Sequence, residues 1–178
     1  MRQRVLAQRV TEAAGRFGEP ARTWASLEWM WADVEWEGGR ETFLADREFA
    51  TVPVTVTVNL GGKARSLREK DRWLLPMGHS RLTSAIANST ATSLVVTSAD
   101  AFPPEHPYAV RVQDELCVVS SASGTTLTVA RGSYGTTAAK HPASSAVLHM
   151  TPADIESVSP QGRDLVTLAL RAEVGPST

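Results

Sequence analysis

Hydrophobic and polar residues alternate with a period of two along much of this chain, a pattern that predicts strands. The longest alternating stretch follows a turn: Gly18 admits positive φ and Pro20 keeps Glu19 out of the helical region, so residues 16–20 read as a hairpin bend. The strand after it carries four of the five tryptophans, Trp24, Trp29, Trp31 and Trp36. Its apolar phase switches midway. Leu27, Trp29 and Trp31 point one way, whereas Met30, Ala32, Val34 and Trp36 point the other, with Glu28, Asp33 and Glu35 at the complementary sites. A strand that changes its buried face needs a bulge or a bend, and such a device lets a sheet curl into a barrel. Each aromatic can bury a large area, so this strand is expected to anchor the core.

The remaining pattern fits around it. Residues 4–12 form a first strand, with Val5 or Leu6 and Val10 as apolar positions, paired through the hairpin to the Trp strand. Gly38 and Gly39 end that strand, and residues 40–50, with Phe43, Leu44 and Phe49, read as a short helix or an irregular loop. Val52, Val54, Val56 and Val58 then alternate with polar residues and Pro53, a half-buried strand with the proline near its start or on an edge. Residues 59–72 read as a loop and Trp73–Leu75 as a short strand. Near the C-terminus, Ser159-Pro160-Gln161-Gly162 suggests a turn before a last strand, Leu165–Val174, whose Val166, Leu168, Leu170 and Ala172 share one face.

Between these parts the composition breaks. Residues 82–150 hold only four acidic and three basic side chains, against 19 and 18 in the whole chain, and are crowded with Ser, Thr and Ala. Short apolar runs (94–97, 108–112, 116–119, 127–129 and 146–148) are separated by turn-prone groups, the pattern of a compact antiparallel β unit. The expected fold is all-β: a small β-barrel or sandwich made of residues 1–81 and 151–178, with an inserted antiparallel β domain, 82–150, in one hairpin.

A length of 178 residues and 42% hydrophobic content suffice for a substantial core, and a formal charge of -1 gives no general nucleic-acid signature. Cys117 is the single cysteine, which excludes an internal disulfide and suits a reducing cytoplasm. No segment has the length and apolarity to span a bilayer as a helix, so the expectation is a soluble product with no membrane partner.

Gln8-Arg9-Val10-Thr11, then Gly18-Glu19-Pro20 with Thr23-Trp24, Trp31-Ala32 with Val34, Gly39-Arg40-Glu41 and the alternating Val strand resemble, in that order, the head-closure proteins of long-tailed phages, also called stoppers or head–tail joining proteins. The resemblance covers residues 1 to 80 and resumes over 154–174. It implies a ring of identical subunits in the virion neck, assembled in the host cytoplasm. Such a ring lies below the portal and adaptor proteins, surrounds the double-stranded DNA in its channel and docks the tail terminator or tail tube. It also implies that the segment between the Trp and Val strands, 38–51, faces the channel as a gate, here with Gly38, Gly39, Arg40, Glu41, Phe43, Asp46, Arg47 and Glu48. The middle segment resembles a small β module of phage tail and baseplate proteins through Glu115 with Val119, then Val129, Arg131-Gly132, Gly135-Thr136, Ala138 and His141. This second resemblance supports a competing reading: a tail or baseplate component whose inserted module binds a host-surface glycan or protein, with Tyr108 and Tyr134 as stacking residues.

Catalytic signatures are missing. His79, His106, His141 and His149 lack metal-ligand spacing and read as neutral surface imidazoles. Gly132-Ser133-Tyr134-Gly135 is not a nucleophile elbow, and neither a phosphate-binding loop nor a dinucleotide fingerprint occurs. Asp114 and Glu115 are adjacent, so on a strand they point to opposite faces, and they are expected to flank a turn. Cys117 reads as a small strand residue. The chain is therefore expected to be neither an enzyme nor a cofactor binder. Arg131-Gly132 and Gly135-Thr136-Thr137 could bind an anion, although a tight turn with the arginine packed over the sheet is favoured. Lys63, Arg65, Arg68 and Lys70 are candidates for contact with DNA phosphates or with a partner's rim.

Overall fold

The structure is a computed structural model that describes residues 2–14, 20–37, 50–59, 67, 68, 70–161 and 165–174. It is all-β and antiparallel, with ten strands and no helix among the described residues. The chain divides into two compact units, Met1–Leu75 with Pro152–Pro176, and Pro76–Thr151. All five tryptophans lie in the first unit and both tyrosines in the second.

The first unit contains β1 (Arg2–Ala14), β2 (Pro20–Trp36), β3 (Ala50–Asn59), the start of β4 (Arg72–Arg81), the end of β9 (Ala146–Gln161) and β10 (Leu165–Val174). β1 and β2 form the expected hairpin, from Ala14 opposite Pro20 to Arg2 opposite Asp33. Its far side pairs with β3, β3 pairs with β10 along its whole length, and β10 also pairs with β9. Barrel and sandwich architectures are both compatible with this order. The phase switch read in the Trp strand is a β-bulge: Ala7 opposes Glu28 and Gln8 opposes Ser26, which leaves Leu27 as the extra residue.

The bulge decides which residues form the core, and the expectation that the tryptophans anchor it needs correction. Past the bulge the inward positions are Met30, Ala32, Val34 and Trp36, facing Val54, Val56 and Val58 of β3 and Val166, Leu168 and Leu170 of β10. Trp31 is 63% exposed, while Trp24 and Trp29 are half-buried on the opposite face with it. The indole at the centre is Trp73, fully buried on β4. Rows of Val and Leu fill the interior, with small Ala32 buried among them. β9 also differs from expectation. It runs unbroken through Pro152 to Gln161, with Pro160 opposite Val166, so residues 159–161 are paired strand where the sequence suggested a turn.

The second unit runs β9-β6-β7-β8-β5, with β5 (Ser93–Val95), β6 (Tyr108–Val112), β7 (Glu115–Ser123) and β8 (Thr126–Ser133). Leu82 ties the outermost strand back to the first. It bridges to Val96, donates to the Ser145 carbonyl and accepts from the Ser144 N–H. Residues 82 and 145, close to the expected ends of the insert, are thus direct neighbours. Leu82, Leu94, Val110, Val112, Val119, Leu127 and Val147 form the core. Gly78 is required at its position, since a Cβ there would sit 2.5 Å from the Ala101 carbonyl oxygen.

Candidate functional site

The densest polar cluster lies in the second unit and is built on Glu115. Gln113 and Asp114 make the tight turn between β6 and β7, with Gln113 at φ 53, so Glu115 does flank a turn as expected. Its side chain points inward and is 1% exposed. Across the ladder, Leu116 opposes Ser133 and Val118 opposes Ala130, so Arg131 and Gly132 form a bulge against Cys117. That bulge aims the Arg131 guanidinium at the carboxylate, with Nε donating to Oε1 at 2.6 Å and Nη2 to Oε2 at 2.7 Å. The Gly132 N–H donates to Oε1 at 3.0 Å and the Ala139 N–H to Oε2 at 2.9 Å. His141, 3% exposed, places Nε2 2.8 Å from Oε2 and Nδ1 2.9 Å from Gln113 Oε1. An ionised carboxylate only accepts, so Nε2 carries the proton of the His141–Glu115 bond.

Gly132 and Thr136 of the quoted pattern shape the turn around this carboxylate. Gly132 has φ +60, and a Cβ on it would lie 3.1 Å from both the Ala138 N and the Thr136 carbonyl oxygen, so only glycine fits. The Thr136 hydroxyl donates to the Ser133 carbonyl at 2.7 Å and accepts the Leu116 N–H at 3.0 Å, which fastens the turn to β7. The turn does hold an anion, and the anion is the protein's own Glu115.

Burial acts to raise the Glu115 carboxyl, but the hydrogen bonds from Arg131, Ala139, His141 and Gly132 outweigh it and hold the group at about 2. Arg131 is raised in turn by its hydrogen bond to Glu115, against the effect of burial. Burial first, and then the Glu115 charge, push the Cys117 thiol up to about 12, so it is no nucleophile. A carboxylate with its oxygens taken by five N–H donors and the Cys117 thiol has little left for substrate. The cluster is a structural lock.

Of the expected surface histidines, one is buried and another half-buried. His141 sits inside this lock, and His149, packed edge-on to Tyr108 at 5.6 Å, is lowered to about 4 by burial. Tyr108 is itself 8% exposed and stacks on Phe102 at 6.0 Å, so its ring is not open to a sugar. Burial raises its hydroxyl to about 12. Tyr134 is half-buried at φ 54, in the turn after Gly132.

In the first unit the polar groups converge on Asp71, 2% exposed. Arg9 grips it with Nε at 2.9 Å and Nη2 at 2.8 Å, and the Arg68 backbone N–H adds a third bond at 2.9 Å. On the outer face, the Arg72 guanidinium lies 3.9 Å over the Trp24 ring and donates to Gln8 Oε1 at 2.9 Å, while Arg4 lies 5.6 Å over Trp29. Of the expected contact residues, Arg68 and Lys70 are exposed. Lys63 and Arg65 lie outside the described residues, as do Gly38, Gly39, Arg40, Glu41, Phe43, Asp46, Arg47 and Glu48 of the expected gate and the expected helix or loop. Ala50 and Thr51 belong to β3. Among the described residues, no group of three or more His, Cys, Asp or Glu side chains could hold a metal ion.

No known protein family matches this chain, and no curated protein matches it. The functional reading therefore rests on the residues themselves.

Proposed function

We propose that this chain is a structural subunit of a phage neck, which forms a ring below the portal and adaptor, closes the DNA channel after packaging and docks the tail. The observation that carries the reading is the order of elements in the first unit. A first strand, a bulged Trp strand, a Val strand and a C-terminal closing strand pair antiparallel, and the last of them follows a long inserted unit. That is the order of motifs through which the sequence resembles head-closure proteins. The two polar clusters are consistent with it, because in both the buried carboxylate is held by the protein's own arginine and backbone N–H groups. The gate assigned to residues 38–51 belongs to the same reading: mixed charges there would line a channel without gripping phosphates.

The competing reading, a glycan-binding tail component, loses Tyr108 as a stacking surface, since that ring is already covered by Phe102 and His149. The test is to add the purified chain to DNA-filled heads that lack neck proteins. Density at the portal vertex in electron micrographs, together with slower DNA loss, is expected. If the chain ignores filled heads but binds cells or glycans unaided, the tail reading replaces this one.

A further inference from the structure

We infer that the outer face of β1 and β2 is a twofold docking surface for a second copy of this chain. Residues opposite one another in an antiparallel pair share a face, and here the pairs are Arg2 with Asp33, Arg4 with Trp31, and Leu6 with Trp29. The face thus carries two parallel ridges. β1 presents Arg2 and Arg4; β2 presents Trp29, Trp31 and Asp33. Trp31 is the most exposed large apolar side chain among the described residues, at 63%. Arg2 and Asp33 form a solvent-exposed pair at 3.8 Å, with both side chains within reach of a partner. Interface centres are enriched in Trp and Arg, and cation–π stacking of Arg4 on Trp29 sets one of these rings in place beforehand.

The occupant follows from charge complementarity. A twofold axis along the strand direction, between the two ridges, lays each β1 over the β2 of the other copy. Arg4 then meets the other copy's Trp31, and Arg2 meets its Asp33. Like charges never oppose. The surface complements itself, as an isologous contact requires. A net charge of -1 gives a polyanion no comparable attraction. This contact goes beyond the ring reading, because rings close through head-to-tail surfaces and this one pairs two subunits.

Sedimentation velocity of the full chain over a wide concentration range tests it. The wild type is expected to show a monomer–dimer equilibrium, and Trp31→Ala to weaken it about 30-fold, the cost of a lost hot spot. Unchanged circular dichroism would show that this exposed residue was removed without unfolding the chain. Arg2→Glu and Asp33→Arg variants should each dimerise poorly alone, because each homodimer sets like charges together twice. Mixed in equal amounts they should form a heterodimer, in which both pairs attract. A wild type that stays monomeric throughout overturns the proposal, as does a mixture that fails to associate. A ring-sized assembly indifferent to Trp31 overturns it too, while leaving the ring reading standing.

Discussion

Replacing Glu115 tests the lock most directly. In Glu115→Ala the Arg131 guanidinium remains 6% exposed beside two backbone N–H groups and His141, with no anion to receive them. Removing one partner of a buried ion pair typically costs about 3–5 kcal/mol. The lowered carboxyl points the same way, since the folded environment favours the charged form through the hydrogen bonds from Arg131, Ala139, His141 and Gly132. For a unit of this size each kcal/mol shifts the melting temperature by about 4–8 °C, so the variant's second unit should melt at least about 12 °C lower. Glu115→Gln keeps the shape and one acceptor oxygen and should lose less. Formate, supplied at high concentration, should enter the space left in Glu115→Ala and recover part of the loss, because the donors already converge on a carboxylate. Scanning calorimetry of the full-length variants measures all three. A Glu115→Ala chain that melts with the wild type, or a Glu115→Gln chain less stable than Glu115→Ala, would refute the reasoning.

Three further outcomes are expected. Trp73→Ala, at a fully buried site, should cost about 3–5 kcal/mol in urea unfolding, whereas Trp31→Ala, at concentrations where the wild type is monomeric, should stay within about 0.5 kcal/mol of it. His149 takes its proton near 6.5 when unfolded and near 4 when folded, so stability should drop as pH falls through that window and level off below it; the depressed Glu115 adds a second loss between 4.5 and about 2, and melts at stepped pH should show both losses in the second unit, with His149→Gln removing the upper one. Gly78→Ala should destabilise by about 1–3 kcal/mol in the same denaturation assay, since its Cβ would press on the Ala101 carbonyl oxygen.

The alternation of apolar residues made the strands of the first unit legible, and the broken phase around Leu27 placed the bulge, because a period of two leaves no other account of the switch. It could not say which face was core. β2 is apolar on both sides past the bulge, and sheer aromatic size favoured the wrong side. The answer lay in the partners: β3 and β10 offer inward rows of Val, against which Ala32 and Val34 pack. Trp73 was hidden in a three-residue run with no period to read. In the second unit the residues of the lock stood out in the sequence, but Glu115 and His141 are separated by two strands' worth of chain, and only the fold brings them to one carboxylate. Besides the pattern that links them along the chain, scarcity was a signal: a segment with so few charges keeps those it has for a reason. The unbroken run of β9 through two prolines was also illegible, since proline usually marks a strand's end.

The confinement of every indole to one unit and every phenol to the other gives the protein its own optical labels. Tryptophan emission follows the first unit and tyrosine near-ultraviolet dichroism the second, so the two can be watched in one sample without a dye or an engineered probe. Within the first unit the labels divide again. A small polar quencher should reach Trp31 at once and spare Trp73, so the quenchable fraction reads the outer face while the protected fraction reads the core. Loss of the second unit on replacing Glu115 should then appear in the phenol signal, where both tyrosines lie.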